Sequence, residues 1–90
     1  MARVQIYLTA YCGYCRAALR LLREKGVADA DIDMVRVDEE PARRAEMRAR
    51  SGRHTVPQIW IGERHIGGFD DLSDLEHAGE LDELLAIEKT

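Results

Sequence analysis

The sequence predicts an α/β domain in which a four-stranded mixed sheet carries helices on both faces. Three observations lead to this prediction. Strand and helix patterns alternate twice in the first half of the chain, a strand–turn–strand pattern follows, and helical patterns close the sequence. At 90 residues, with 46% apolar and 33% charged side chains, the chain has the size and composition of one globular domain spanning 1–90.

The first strand and helix are indicated by two different periodicities. Residues 3–9 (RVQIYLT) alternate apolar and polar side chains, as a half-buried strand does. The next segment carries an apolar stripe at helical spacing, formed by Cys15, Ala18, Leu19 and Leu22. Gly26 suits the end of this helix.

A second strand–helix pair follows. Residues 31–38 alternate again, with Met34 or Val35 as the central inward side chain. Pro41 suits the first turn of a helix that ends at Gly52. Small side chains share one side of this helix, namely Ala42, Ala45 and Ala49.

The second half predicts a hairpin and two helical segments. Residues 57–61 and 64–68 flank a short Gly-Glu turn. Asp70 or Asp71 can cap the following helix, which Gly79 ends. A last helical segment is marked by Leu81, Leu84 and Leu85.

Charge and hydropathy exclude several classes of function. The formal net charge of −4 gives a nucleic-acid partner no electrostatic support. The N-terminal segment lacks an apolar stretch of signal-peptide length, and no segment is long enough to span a bilayer. We therefore expect a cytoplasmic protein without a membrane partner, whose cysteines are reduced by default.

The two cysteines, Cys12 and Cys15, lie in a Cys-Gly-Tyr-Cys sequence between the first strand and the first helix. Cys12 is expected at the N-cap, where backbone N–H groups of Tyr14 and Cys15 and the helix dipole favour a thiolate. Cys15 begins the apolar stripe and should be covered. An exposed sulfur beside a shielded one suits thiol–disulfide exchange, in which Cys12 attacks and Cys15 resolves.

A pair of cysteines three residues apart also suits a metal site or a small inert disulfide. A zinc site normally takes four ligands, and the three histidines are scattered without paired spacing. An inert disulfide does not suit a reducing compartment, and its loop is too small to add much stability. Redox chemistry is therefore favoured.

Two further stretches predict a binding groove. In HTVPQ, a cis peptide bond before Pro57 would leave the backbone of Val56 free to pair with an extended peptide; the alternative is a proline that begins an edge strand. In GGFDD, the N–H groups near Phe69 and Asp70 can hold a carboxylate, and Asp70 or Asp71 can pair with an ammonium. The γ-glutamyl end of glutathione has both groups. The alternative is helix capping by the aspartates.

The motifs CGYC, SGRHTVPQIWI and HIGGFDDL, in this order, resemble those of a bacterial dithiol glutaredoxin over nearly the whole chain. The resemblance implies a thioredoxin fold, with Cys12 as nucleophile and Cys15 as resolving thiol. It also implies a glutathione groove lined by Tyr14, Thr55, Val56, Pro57, Phe69, Asp70 and Asp71.

The implied activity is reduction of glutathione mixed disulfides and protein disulfides by a monomer. Its partners would be glutathione and client proteins that carry a disulfide or a glutathionyl group. Cys12 takes the glutathionyl group, and a second glutathione or Cys15 releases it.

The chain departs from the family pattern at two positions. Thr9 stands where many relatives have a lysine that assists the thiolate, which makes Arg53 and Arg16 the candidates to supply that charge. Gly13 stands where many relatives have proline. Members with Gly or Ser there include proteins that resemble iron–sulfur binders. The second hypothesis is therefore a dimer in which Cys12 of each copy and two glutathiones hold a [2Fe–2S] cluster.

Overall fold

The computed structural model describes residues 3–87, and residues 1–2 and 88–90 lie outside this description. The strands are β1 (Val4–Leu8), β2 (Ile32–Arg36), β3 (Gln58–Ile61) and β4 (Arg64–Gly67). The helices are α1 (Gly13–Glu24), α2 (Pro41–Ser51), α3 (Phe69–His77) and α4 (Leu81–Ile87). The order of elements agrees with the prediction. A short 3₁₀ turn, Asp29–Asp31, precedes β2 and was not anticipated.

The sheet has the strand order β2-β1-β3-β4 and is mixed, as expected. β1 runs parallel to β2, with Val4 opposite Ile32, and antiparallel to β3, with Val4 opposite Ile61. β3 and β4 form the predicted antiparallel hairpin, which carries an irregularity between Ile59 and Trp60. The end of β1 therefore lies at the centre of the sheet.

Helices cover both faces of the sheet. The larger core packs α1, α3 and α4 against one face and includes the predicted α1 stripe, Cys15, Ala18, Leu19 and Leu22. The smaller core packs α2 against the other face and consists of Tyr7, Val35, Val37, Met47 and Trp60. Trp60 is thus a packing residue of this core.

Two segments differ in detail from the sequence prediction. α2 buries Met47, and its three alanines are exposed, because the sheet lies on the opposite side of the helix. In β2, Val35 is buried and Met34 is exposed.

The helix that follows β4 begins earlier than predicted. Gly68 is the N-cap of α3, so Asp70 and Asp71 lie inside the first turn instead of at the cap. None of the helices within residues 3–87 is both long and apolar enough to cross a bilayer.

Candidate active site

Cys12 lies where the sequence placed it, between the end of β1 and the first turn of α1. It has extended backbone angles, φ −128° and ψ 109°, and its Sγ accepts a hydrogen bond of 3.1 Å from the backbone N–H of Cys15. The second predicted donor, the N–H of Tyr14, does not form this bond. An N-cap side chain commonly bonds to only one of the first-turn N–H groups, and here it selects the third helical position. The sulfur therefore receives one directed donor at the positive end of α1.

The two cysteines are free thiols in different surroundings. Cys15 is 1% exposed within the larger core. Burial, followed by the hydrogen bond with Cys12, raises the pKa of Cys15 from 9.0 to about 12. Cys12 is half-buried and packs against the same core, so the prediction of an exposed sulfur needs correction. Cys12 is nevertheless more accessible to solvent than Cys15.

A single cavity of about 260 Å³ contains all seven residues that the sequence assigned to the groove. It is lined by Tyr14, Thr55, Val56, Pro57, Phe69, Asp70 and Asp71, and also by Arg53, Gln58 and Gly68. The Sγ of Cys12 lies 4.0 Å from the carbonyl oxygen of Val56, so the sulfur adjoins this groove. The Val56–Pro57 peptide bond is cis, as anticipated.

Aromatic side chains from two helices form part of the groove. The rings of Tyr14 and Phe69 have centroids 6.2 Å apart and planes inclined by 29°, which is a stacked arrangement. Tyr14 is 66% exposed. These rings give a ligand an apolar surface close to Cys12.

Asp71 is held in place by two donors. Its Oδ2 accepts a hydrogen bond of 2.9 Å from the backbone N–H of Gly68 and lies 3.0 Å from Nη1 of Arg53. The Arg53 guanidinium, followed by the Gly68 N–H, holds the pKa of Asp71 below its usual range. Asp71 therefore helps to cap α3, because its carboxylate at the third helical position accepts from the N–H of the N-cap residue. Asp70 is exposed at the second position.

The charge that the family lysine would supply has one candidate in the groove. Arg53 lines the cavity, whereas Arg16 does not. Arg16 lies close enough to Cys15 to oppose the rise of its pKa slightly. Arg53 is therefore the better candidate, and the sequence had not included it among the groove residues.

Gln58 and Gly68 are the other lining residues that the sequence reading missed. Gln58 is the first residue of β3 and lies on the same face of the strand as Trp60. A polar residue at an inward strand position was the available signal, because such a side chain needs buried hydrogen-bond partners.

Metal binding has no complete ligand set within residues 3–87. In this part of the chain, no three of His, Cys, Asp and Glu are grouped so as to hold a metal ion. The iron–sulfur hypothesis takes its ligands from two copies and two glutathiones, so it is not tested by a single chain and stays a prediction.

The sequence matches known proteins over nearly its full length. The glutaredoxin family model matches residues 4–66. A glutaredoxin of Pseudomonas aeruginosa is 52% identical over 86 residues, which cover 96% of this chain and 99% of the relative. Glutaredoxin 3 of Escherichia coli K12 is 49% identical over 85 residues, covering 94% and 99%.

Solved glutaredoxin structures superpose closely on the chain. The solution structure of glutaredoxin from Brucella melitensis has a TM-score of 0.83 at 46% identity, covering 100% of this chain and 95% of that one. The crystal structure of a buckwheat glutaredoxin–glutathione complex has a TM-score of 0.85 at 28% identity, covering 96% and 78%. The mixed four-stranded sheet with its helices is therefore a thioredoxin fold, as predicted.

Proposed function

Because the chain belongs to the glutaredoxin family, whose members are thiol–disulfide oxidoreductases, we propose that it reduces disulfides at the expense of glutathione. Cys12 is the nucleophile and Cys15 the resolving thiol. The observation that carries this assignment is the hydrogen bond of 3.1 Å from the Cys15 N–H to the Sγ of Cys12, beside the groove. The buckwheat relative was solved as a glutathione complex, which supports glutathione as the ligand of this groove.

The groove offers each part of glutathione a chemically suitable partner. The N–H groups of Phe69 and Asp70 lie in the first turn of α3 and have no partner within the helix, so they suit the γ-glutamyl carboxylate. Asp70 and Asp71 suit the ammonium group. The backbone of Val56 suits the cysteinyl segment, and Arg53 suits the glycyl carboxylate.

The first step of the proposed reaction is attack by the Cys12 thiolate on a glutathionylated client. The thiolate forms a bond to the glutathionyl sulfur, the original disulfide bond breaks, and the client thiolate leaves and takes a proton from water. The Cys15 N–H and the start of α1 stabilise negative charge on Cys12 before and after this exchange. A second glutathione thiolate then attacks the mixed disulfide, which restores Cys12 and releases oxidised glutathione.

Client disulfides follow a second route. Cys12 forms a bond to one client sulfur, and Cys15, after giving up its proton, attacks Cys12 and releases the reduced client. The Cys12–Cys15 disulfide is then reduced by two glutathiones. The raised pKa of Cys15 keeps it a thiol while Cys12 is free. Because the Cys12 thiolate contributes to this rise, the barrier to ionising Cys15 falls once Cys12 is in a mixed disulfide.

The test is turnover of a glutathionylated peptide with glutathione as reductant. Cys12→Ser should abolish turnover, whereas Cys15→Ser should retain it, because a second glutathione can resolve the mixed disulfide. A peptide with an internal disulfide is reduced by the route that needs both cysteines. Cys12→Ser and Cys15→Ser should therefore both be inactive by that route. Equal loss in both variants with the glutathionylated peptide would refute the assigned roles. We further propose that this reaction takes place in the cytoplasm, where glutathione keeps thiols reduced.

A further inference from the structure

Gln58 has a fully buried carboxamide next to the groove. The residue is 0% exposed, and among the described residues it is the one polar residue that is buried. Its Nε2 donates to the carbonyl oxygen of Thr55 at 3.1 Å and approaches the Thr55 Oγ1 at 3.3 Å. Its Oε1 lies 2.9 Å from Nε2 of His65. Every hydrogen-bonding atom of the carboxamide therefore has a partner.

These contacts fix the orientation of the carboxamide and the tautomer of His65. Since the amide nitrogen must face the Thr55 carbonyl, the amide oxygen faces His65, and Nε2 of that ring must carry the hydrogen. Burial, followed by the charge of Arg53, lowers the pKa of His65, which favours the neutral ring. The ring also packs on Trp60, with centroids 4.6 Å apart. His65 thus anchors Gln58 from β4.

The anchored carboxamide holds Thr55, whose own side chain is exposed. Thr55 is an exposed residue that precedes the cis Val56–Pro57 bond, and all three residues line the groove. Gln58 borders the same groove, and its buried carboxamide contacts this segment at Thr55.

We propose that Gln58, anchored by the Nε2–H of His65, is a positioning residue that fixes Thr55 and Val56 for binding of the glutathionyl part of the substrate. This proposal rests on the proposed function above. It predicts selectivity: loss of the carboxamide impairs substrates that occupy the groove and spares a disulfide that only reaches Cys12. A merely structural role would impair both substrates or neither.

The test uses single-turnover transfer to Cys12 in a Cys15→Ser background, which removes resolution by the second thiol. One peptide thiol is linked either to glutathione or to 2-mercaptoethanol, so the two substrates differ only in the group transferred. Gln58→Met keeps the approximate volume of the side chain and removes its donors and acceptor. Gln5→Met makes the same change on β1, outside the groove, and serves as the matched control. Thermal unfolding shows whether each variant folds.

We expect Gln58→Met to raise the half-saturating concentration of the glutathionyl peptide by about 5- to 20-fold, the range for lost buried hydrogen bonds. The limiting rate for this substrate and the rate with the mercaptoethanol peptide should change less than about twofold. His65→Phe keeps a ring against Trp60 but removes the anchoring N–H. It should therefore also raise the half-saturating concentration of the glutathionyl peptide, by a smaller factor than Gln58→Met does. Gln5→Met should behave as the parent protein.

Three results are decisive. If the parent protein itself does not favour the glutathionyl peptide, the proposed function is wrong. If the parent protein and Gln58→Met prefer the glutathionyl peptide over the mercaptoethanol peptide to the same extent, only the positioning role is wrong. If Gln58→Met does not fold, His65→Phe decides, and an unchanged half-saturating concentration in that variant overturns the proposal.

Discussion

The backbone N–H of Cys15 donates a hydrogen bond of 3.1 Å to the Sγ of Cys12, while the side chain of Cys15 is 1% exposed. One residue therefore stabilises charge on its neighbour through the backbone and keeps its own sulfur in an apolar environment. This relationship supports different roles for two chemically identical thiols. It follows from helix geometry, since an N-cap side chain and the third helical N–H meet in the first turn.

The first prediction concerns stability at high pH. The pKa of Cys15 is raised from 9.0 to about 12 by burial and by Cys12. Because the folded protein holds this proton more tightly, its contribution to stability is complete below pH 9 and is lost as the pH rises towards 12. Between pH 8 and pH 10, the wild type should lose about 1.4 kcal/mol more unfolding free energy than Cys15→Ala.

Urea denaturation of the reduced proteins at both pH values measures this difference. All other titrating groups are common to the two proteins and cancel to first order. Equal losses in wild type and Cys15→Ala would mean that Cys15 does not stay a thiol in the folded protein.

The second prediction separates ligand binding from helix capping at Asp71. Asp71→Asn keeps an oxygen that can accept from the Gly68 N–H but removes the charge that faces Arg53. If the carboxylate holds the glutathione ammonium, Asp71→Asn should weaken a glutathionylated substrate by about 5- to 150-fold, equivalent to about 1–3 kcal/mol. A mercaptoethanol-linked substrate should be unaffected. If Asp71→Asn behaves as wild type and only Asp71→Ala fails, the residue is a capping residue alone.

The third prediction concerns the close approach of Asp71 and Arg53 to Gly67. A Cβ on Gly67 would clash with the Asp71 Oδ2 and lie 2.9 Å from the Arg53 Nη1, at a φ of +116°. Gly67→Ala should therefore displace this ion pair, lower Tm and weaken glutathionylated substrates. Gly79→Ala is the control, since its φ is +75° and nothing lies within 4 Å of its Cβ. It should show a cost in stability of about 1–2 kcal/mol and normal activity. Normal substrate selectivity in Gly67→Ala would contradict a role for this pair in the groove.

The fourth prediction concerns Lys25, which joins three helices and does not line the groove. Its Nζ lies 2.9 Å from carboxylate oxygens of Glu76 on α3 and Asp82 on α4. Lys25→Met should lower Tm and leave disulfide reduction unchanged. Arg23→Met breaks a more exposed pair with Asp29 and should change Tm little. Differential scanning calorimetry of both variants tests this, and an equal Tm shift would show that bridging the helices adds nothing.

Local patterns were sufficient to predict most of the fold and the reactive pair. The apolar stripe of α1 predicted both the helix and the burial of Cys15, and the position of Cys12 between the first strand and this helix predicted that it is the N-cap. The HTVPQ and GGFDD stretches predicted part of the groove from the residues themselves, and the resemblance supplied the full set of seven, which the structure brings together in one cavity.

Side-chain pairs between distant residues could not be predicted in the same way. The Asp71–Arg53 and Gln58–His65 contacts join residues that are 18 and 7 positions apart. Neither pair lies within a single helix or strand, so each depends on how β3, β4 and α3 pack. The start of α3 at Phe69 was missed for a related reason: Asp71 reaches back to the Gly68 N–H, and sequence alone did not distinguish this arrangement from an aspartate at the N-cap.

The most direct test is intact-protein mass spectrometry of Cys15→Ser after one turnover with a glutathionylated peptide and no free glutathione. We expect one glutathione linked by a disulfide to Cys12, with one equivalent of free peptide thiol released. Added glutathione should then remove the adduct and form oxidised glutathione. A peptide adduct on Cys12 would show that the groove does not direct attack to the glutathionyl sulfur. Absence of any adduct would contradict Cys12 as the nucleophile.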